Sequence, residues 1–463
     1  MGAGTVLQKP ESEYQRWAMN SYFVRGAYTY NDKYSATLTA RIDGSSKFGD
    51  NNKYSFFPSA GLAWITSSEG FMEDLTAIDQ LKFHTSYGVT GNSEFDVYKS
   101  LANVKSGTVL INGSLESGSY TERLANPDLK WERTGMWDIG FNLNMFGNRL
   151  NFDVSYYYKL TKDLLLDRPV PYSTGYKSVI DNIGQVKNTG MDFMINTINM
   201  DTKDFGWSSS LNFNYNKNII MKLGENDEDI LMAPSFISGE NTILRVGESL
   251  GTFWGYKNYG VWTEAEAEQA KAAGYSVGQA KISDEKMIIG NALPDITGSF
   301  INNLRYKNFD FTLDLQFVLG SEILQQYLHS TEDRFGKANG LATILDGYNG
   351  SNPGTMIQAI RNDGYFPDGH WSDVNSHWVA NGSYLRANLI QLGYTFDQSV
   401  LDKLKIAALR VNFSVNNAFL ICSKDFKGYD PEGTSNDDHN GQNIFFFQYP
   451  KPRTYTLGLN VTF

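Results

Sequence analysis

The sequence contains one cysteine, Cys422, and only 12 prolines in 463 residues. A single cysteine cannot close an internal disulfide, so the fold does not depend on one. No stretch reaches 18 consecutive apolar residues, which excludes a transmembrane helix. No basic run exceeds two residues and the formal net charge is −11, which argues against nucleic-acid binding. The first residues also lack the apolar core of a secretory signal.

Aromatic residues and glycines are abundant instead. The chain has 27 Tyr, 29 Phe and 43 Gly, a composition typical of strands and turns rather than helices. WDIGFNLNM, FDFTLDLQFVL, LRVNFSVN and the terminal YTLGLNVTF all alternate apolar with polar or small residues. We count about 14 such segments, each of roughly 9–12 residues. Each segment therefore predicts a strand with one apolar and one polar face.

The connections between these segments alternate between short and long. Tight turns are predicted at Asn31-Asp32, Gly147-Asn148 and Lys307-Asn308. Long connections are predicted over residues 159–182, 320–382 and 418–452. One of the loops carries a helix signal, TEAEAEQAKAAG, with Thr263 and Glu266 as a capping box and Gly274 as a stop. Tight turns at one end and long loops at the other are typical of an outer-membrane β-barrel.

A soluble β-sandwich would alternate in the same way, with its apolar faces packed into a dry core. Its strands are usually about 5–6 residues long, whereas a membrane-crossing strand needs about 9–11. The polar face here favours Asn, Ser, Thr, Asp and Gly over Lys and Glu, which suits a water-filled lumen. The fold class predicted is all-β, a transmembrane antiparallel β-barrel with long extracellular loops. A soluble or surface β-rich glycan-binding protein remains the alternative.

Eight blocks, in order along the chain, resemble the SusC/RagA family of TonB-linked outer-membrane transporters. They are Ala40–Trp64, Leu81–Asn92, Asn126–Thr134, Asn182–Phe193, Gly251–Trp262, Gly382–Phe396, Gly428–Glu432 and Tyr449–Phe463. The resemblance implies a barrel of about 22 strands, of which residues 1–463 look like the C-terminal part. It also implies that a signal peptide, an N-terminal β-sandwich domain and a plug are absent from this chain, so that the fragment is expected to be inactive alone.

The resemblance further implies a function and partners. The expected function is TonB-dependent uptake of oligosaccharides or peptides across the cell outer membrane, without enzymatic chemistry. The expected partners are a SusD-like lipoprotein, the TonB–ExbB–ExbD system acting through the plug, outer-membrane lipid, and a glycan or peptide substrate. No cofactor is implied.

Metal-binding and catalytic motifs are weak. Asp368, His370, Asp373 and His377 have ligand types for zinc, but their spacing matches no zinc motif. Asp437 and Asp438 could hold a cation, although a polar loop is the simpler interpretation. Asp284 and Glu285 stand where family members often carry a cation-binding loop, yet their spacing does not fit calcium. No metal site and no nucleophile motif are predicted.

Loop aromatics are the better candidates for binding. Aromatic faces with Asn and Asp neighbours can stack on sugar rings while hydrogen-bonding hydroxyl groups. The candidates in the longest loop region are Tyr348, Tyr365, Phe366, Trp371 and Trp378. Packing between loops over the barrel mouth is the alternative role.

The strand at the C terminus ends on Phe463 without a polar tail. In a barrel its apolar face would meet lipid, and it would be the closing strand. The family resemblance implies that Phe463 is the signal recognised by the outer-membrane assembly machinery. Without the first strands, the sheet is expected to be open or to close on a non-native partner.

Overall fold

Alternating apolar and polar residues form long antiparallel strands in this chain. The computed structural model describes residues 14–463 apart from 112, 177, 234–238, 333–338, 361–373 and 434–440. Thirteen strands make one antiparallel sheet, here called the wall, in the order β1-β2-β3-β4-β7-β8-β9-β10-β17-β18-β21-β22-β24. The wall strands are β1 Met19–Tyr30, β2 Tyr34–Ser45, β3 Tyr54–Ile65, β4 Ile78–Asn92, β7 Glu132–Met145, β8 Leu150–Pro169, β9 Ser178–Asp201, β10 Phe205–Leu223, β17 Ile296–Tyr306, β18 Phe309–Leu319, β21 Tyr384–Thr395, β22 Ala408–Cys422 and β24 Thr454–Thr462.

The remaining strands lie in the connections between wall strands. They are β5 Asn103–Ile111, β6 Ser114–Arg123, β11 Ile230–Met232, β12 Thr242–Leu244, β13 Thr252–Gly255, β14 Asn258–Val261, β15 Ala280–Ile282, β16 Met287–Asn291, β19 Glu322–Gln325, β20 Val379–Asn381 and β23 Ile444–Phe445. All of them are short except β5 and β6, which form a longer hairpin. The helices in the described ranges are α1 Ala267–Ala272, α2 Leu328–Thr331 and α3 Gln398–Leu404. No helix in this part of the chain is both long and apolar enough to cross a membrane.

Every wall strand is paired with its neighbours in antiparallel register, so residues of one face continue in rows from strand to strand. One face, the apolar face, carries large apolar side chains. Aromatic rings of successive strands lie side by side on this face. The ring centroids of Trp64 and Phe83 are 6.4 Å apart, and those of Phe83 and Phe141 are 5.9 Å apart. Leu62 and Leu457 on this face are 60% and 76% exposed. The apolar faces are therefore not packed into a dry core, as the soluble sandwich would require.

The tight turns are confirmed by the backbone. Asn31 and Asp32 have φ of 51° and 55°, and Lys307 has φ of 52°, conformations that Asn and Asp tolerate better than most residues. The capping box of Thr263 and Glu266 is present, although its first turn is a 3-10 helix that continues into α1. Both hairpins and helix thus follow from local turn and cap chemistry.

One expectation about the elements needs correction, although the 13 strands of the wall agree with the expected number of about 14. Residues 159–182 are not one long loop, because β8 continues to Pro169 and β9 begins at Ser178. Irregular pairing between Lys162 and Leu165 breaks the alternation there. Strands β8 and β9 remain paired through these register shifts, but the alternation of apolar and polar residues is lost there.

The two ends of the wall stay unpaired among the described residues. The first strand, β1, pairs with β2 and the last, β24, pairs with β22, and the order of the sheet does not join β1 to β24. All residues of β1 are exposed. Backbone N–H and C=O groups along both outer edges therefore lack strand partners, which is costly away from water.

Candidate functional site

On the polar face of the wall, many side chains of neighbouring strands are hydrogen-bonded to each other. Neighbouring strands place amide, hydroxyl and carboxylate groups opposite each other, so each row is tied from strand to strand. Asn214 Nδ2 donates to Asp192 Oδ1 at 2.6 Å, and Asn218 Nδ2 donates to Asn188 Oδ1 at 2.8 Å. Further bonds of this kind join Ser210 to Asn196, Ser299 to Asn212, and Thr312 to Asn303. The result is a polar surface on which amide and hydroxyl groups are interspersed with carboxylates such as Asp192.

At three places on this face, side chains of two strands meet over a glycine of the strand between them. Tyr157 donates to Asn216 Oδ1 at 3.1 Å across Gly190. Arg410 binds Asp310 across Gly393, where a Cβ atom would lie 2.5 Å from both side chains. These contacts need the missing Cβ, because a side chain on the middle strand would occupy the same space.

The third such contact joins His84 and Ser155 across Gly140, and it bears on catalysis. His84 Nε2 lies 3.2 Å from Ser155 Oγ and 3.4 Å from Asp138 Oδ1. A serine nucleophile relay needs the hydroxyl and the carboxylate on different imidazole nitrogens. Here both use Nε2, so the three residues do not form such a relay.

Three connections at one end of the wall fold together into a unit, here called the loop cap. It comprises residues 224–295, 320–383 and 423–453 as far as they are described. The strand β19 pairs antiparallel with β20 and parallel with β23, which joins the second connection to the third. Phe253, Trp378 and Ile444 come one from each connection and are at most 1% exposed. Their shared core also contains Ala292, Ile323, Leu324, Tyr327, Leu328, Val374, Ala380, Phe426 and Phe445.

A buried ion pair fixes the loop cap to the wall. The guanidinium of Arg386 in β21 donates to Asp430 Oδ2 at 2.9 Å and to Oδ1 at 2.6 Å. Its Nη2 also lies 3.1 Å from Glu432, which binds Lys451 at 2.7 Å. Burial would raise the pKa of Asp430, but the hydrogen bonds from Arg386 and the Glu432 amide, with the charges of Arg386 and Lys451, together hold that pKa below its usual value.

A second buried carboxylate lies inside the loop cap. Glu332 Oε2 accepts from His377 Nε2 at 2.8 Å, and Oε1 accepts from Thr343 at 2.5 Å. Burial would raise the pKa of Glu332, but the hydrogen bonds from His377 and Thr343 hold it below its usual value. His377, one of the zinc candidates, is thus occupied by a carboxylate contact within the cap.

Two of the candidate loop aromatics, Trp378 and Tyr348, are described, and both are buried. Trp378 is 1% exposed in the core of the cap, and its ring meets His329 edge-on at 6.1 Å. Tyr348 is 9% exposed, and its hydroxyl oxygen accepts from the Glu264 amide at 3.1 Å. For these two residues the structure supports the alternative role, packing between loops. Contact with other loops removes these two aromatic rings from water.

Several candidates fall outside the described residues. These are Tyr365, Phe366, Trp371, Asp368, His370, Asp373, Asp437 and Asp438. Among the residues that the structure covers, no group of three or more His, Cys, Asp and Glu could hold a metal ion. Phe463 is described, is 94% exposed and lies just beyond β24.

The ion pair between Arg386 and Asp430 was not predicted from the sequence. Arg386 interrupts an otherwise uncharged strand, YLRANLIQLGYT, and Asp430 lies in the block GYDPE. An arginine in a strand of neutral polar residues is a usable signal, because a buried charge needs a partner. Nothing in the sequence, however, indicated which of the loop carboxylates it would meet.

Comparisons with known proteins agree with this architecture. A family model described as "TonB dependent receptor-like, beta-barrel" matches residues 2–418. TonB-dependent receptor P3 of Formosa agariphila is 36% identical over 99% of this chain and 47% of its own length. TonB-dependent receptor SusC of Bacteroides thetaiotaomicron is 29% identical over 96% of this chain and 43% of its own length.

Solved structures give the same result. A structure of the RagAB peptide transporter superposes with a TM-score of 0.78 at 25% identity, covering 96% of this chain and 48% of that chain. The chain thus spans about half the length of the relatives it matches. The resemblance to SusC and RagA and the all-β barrel fold are confirmed, and the chain belongs to the TonB-dependent receptor-like β-barrel family.

Proposed function

We propose that this chain forms the C-terminal part of the barrel of an outer-membrane, TonB-dependent transporter that takes up oligosaccharides or peptides. The observation that carries the proposal is the wall itself. Its apolar face is exposed as lipid contact requires, and its opposite face is a hydrogen-bonded polar surface beneath a folded loop cap. The remaining strands and a TonB-contacting plug would come from the part of the transporter that these residues do not span.

The polar face suits substrates that bear hydroxyl or amide groups. Asn, Ser and Thr side chains both donate and accept hydrogen bonds, as sugar hydroxyls and peptide groups do. RagAB, whose structure this chain resembles, is a peptide transporter, so peptides are proposed as substrates beside glycans. Tyr365 and Trp371 stay predictions for ring stacking, and the chemistry proposed is binding and passage without a covalent step.

A SusD-like lipoprotein is the proposed partner at the cap end of the wall. The hairpin β5–β6 forms its own two-stranded sheet and lies between β4 and β7, at the same end as the loop cap. Leu110, Ile111 and Leu115 on it are 68%, 52% and 73% exposed. A two-stranded hairpin with exposed apolar side chains is marginal in water, so the hairpin is a suitable docking surface for this partner.

Uptake by intact cells tests the proposal. Cells that carry the transporter would be given fluorescently labelled oligosaccharides and, separately, labelled oligopeptides of similar mass. Accumulation of one class that disappears when the gene is deleted, or when TonB is removed, is the expected result. Equal accumulation in deleted and intact cells for both classes would contradict uptake as the function.

A detergent test separates the barrel from a soluble glycan-binding protein. A barrel remains in the detergent phase and shows a heat-dependent shift on a denaturing gel. A chain that stays in the aqueous phase after refolding, without such a shift, would favour the soluble alternative. The exposed apolar face of the wall leads us to expect the detergent phase.

A further inference from the structure

The Asn412 side chain lies over a glycine at the edge of the wall. Residue 412 is paired with Gly393 of β21 on one side and with Gly458 of β24 on the other. The space over Gly393 is filled by the Arg410–Asp310 pair. The Asn412 amide instead lies over Gly458, where a Cβ atom would stand 2.5 Å from Oδ1 and 3.0 Å from Nδ2.

This position differs from the other three bridges in one respect. At Gly140, Gly190 and Gly393 a strand beyond the glycine supplies the second side chain. Beyond Gly458, the described residues provide no strand, and they provide no hydrogen bond for the Asn412 side chain. The amide is thus directed toward a free edge whose backbone groups also need a partner.

We propose that Asn412 forms a side-chain bridge across the seam where the barrel closes. Its amide would bind a hydrogen-bonding side chain on the polar face of a strand that pairs with the free edge of β24 at the level of Gly458. The occupant is a further strand of the same barrel, from the part of the transporter that the chain does not span. The inference rests on the closed barrel proposed above.

The three complete bridges indicate the chemistry of the missing side chain. On the far strand these bridges use the hydroxyl of Ser155, the amide oxygen of Asn216 and the carboxylate of Asp310. Because an amide can both donate and accept, the residue facing Asn412 is expected to be Ser, Thr, Asn, Asp, Gln or Glu. An apolar side chain there would leave the amide unsatisfied.

Coupled substitutions in the complete transporter test this bridge. Outer-membrane vesicles would carry the wild type, Asn412→Ala, Gly458→Ala and the double variant, and the temperature of the heat-dependent gel shift would be measured. Asn416→Ala is the matched control, because Asn416 lies on the same strand and face but is paired with Thr454 rather than a glycine. Asn412→Ala is expected to lower the temperature by about 2 °C and Asn416→Ala to leave it unchanged.

The methyl group of Gly458→Ala would displace the Asn412 amide. In the wild-type background this variant is therefore expected to lower the temperature of the gel shift as much as Asn412→Ala does. Combined with Asn412→Ala, it is expected to cause no further decrease. Equal effects of the two asparagine variants, or additive effects of Asn412→Ala and Gly458→Ala, overturn the bridge while the closed barrel stands. A wild type without any heat-dependent shift overturns the closed barrel itself. A folded band with the mass of two copies of this chain overturns the assignment of the occupant.

Discussion

Arg386 ties the third connection of the loop cap to the wall through its contact with Asp430. Its side chain is 3% exposed and that of Asp430 is 11% exposed, so the pair is shielded from water and from screening by salt. Removing one member of such a pair leaves the other charge buried and uncompensated, which costs about 3 kcal/mol or more. Asp430 lies in a loop and can partly escape to water, which lowers this cost.

We therefore expect Arg386→Met to release the third connection of the cap from the wall. Limited proteolysis should cut residues 423–453 at least tenfold faster than in the wild type, while the heat-dependent gel shift of the barrel persists. Arg305→Met is the control, because the Arg305–Asp201 pair is 45% and 71% exposed and contributes little. Unchanged cleavage in Arg386→Met would show that the core of the cap holds the loop without the ion pair.

The same carboxylates make the cap sensitive to acid. Asp430 and Glu332 have pKa values held below those of the unfolded chain. Their contribution to stability is present above the unfolded pKa of about 4 and is lost as the pH falls through the lowered values. We expect protease cleavage of the cap to begin to rise as the pH falls below about 4 and to rise further at lower pH.

A double variant checks the origin of that acid sensitivity. Asp430→Asn combined with Glu332→Gln removes both titrating groups while keeping their shapes. It is expected to be cleaved faster at neutral pH and to show little further change on acidification. A pH profile identical to that of the wild type would assign the sensitivity to other groups.

At the scale of elements, the hairpin β5–β6 can be tested apart from the barrel. It makes its own sheet and is not paired with any wall strand, so its loss should not disturb the wall. We expect Leu110→Ser with Leu115→Ser to weaken capture of a SusD-like lipoprotein at least tenfold, measured by co-purification from detergent extracts. Phe71→Ser is the control, since Phe71 is 68% exposed but lies in the turn between β3 and β4. Equal recovery of the lipoprotein with both variants would exclude the hairpin as its docking surface.

Local sequence signals predicted the strands and turns correctly where a single pattern, either alternation or turn residues, was uninterrupted. Alternation predicted β18 and β24, and turn residues predicted the hairpins at Asn31-Asp32 and Lys307-Asn308. The extension of β8 through Leu164–Leu166 was missed, because shifts in register there hide the period of two. Tertiary pairing with β9, which no local pattern encodes, maintains the strand.

The site was less predictable than the fold, for a physical reason. The role of Trp378 depends on whether other loops cover it, and those loops are separated from it by up to about 120 residues. Sequence indicated an aromatic in a loop, and stacking on a sugar or packing on a neighbour were equally consistent with that. The partners of Arg386 and Asn412 likewise depend on cross-strand register rather than on nearby sequence.

For the whole molecule, the C-terminal Phe463 leads to a prediction about assembly in the outer membrane. Phe463 is 94% exposed beside β24, and its removal breaks no packing in the wall. If it is the assembly signal, Phe463→Ala should reduce the amount of heat-modifiable protein in the outer membrane several-fold. Tyr449→Ala, at an aromatic position 91% exposed shortly before β24, is the matched control. Comparable losses in both variants would indicate a general need for surface aromatics.

The shared core of the loop cap limits how such a transporter can change what it accepts. Phe253, Trp378 and Ile444 belong to three connections far apart in the chain but lie in one dry cluster. A substitution that enlarges one connection must be accommodated by the other two, since interiors are close-packed. Exchange of a single loop between relatives should therefore fail more often than exchange of all three. Selectivity would then be inherited as a set of loops rather than altered one loop at a time.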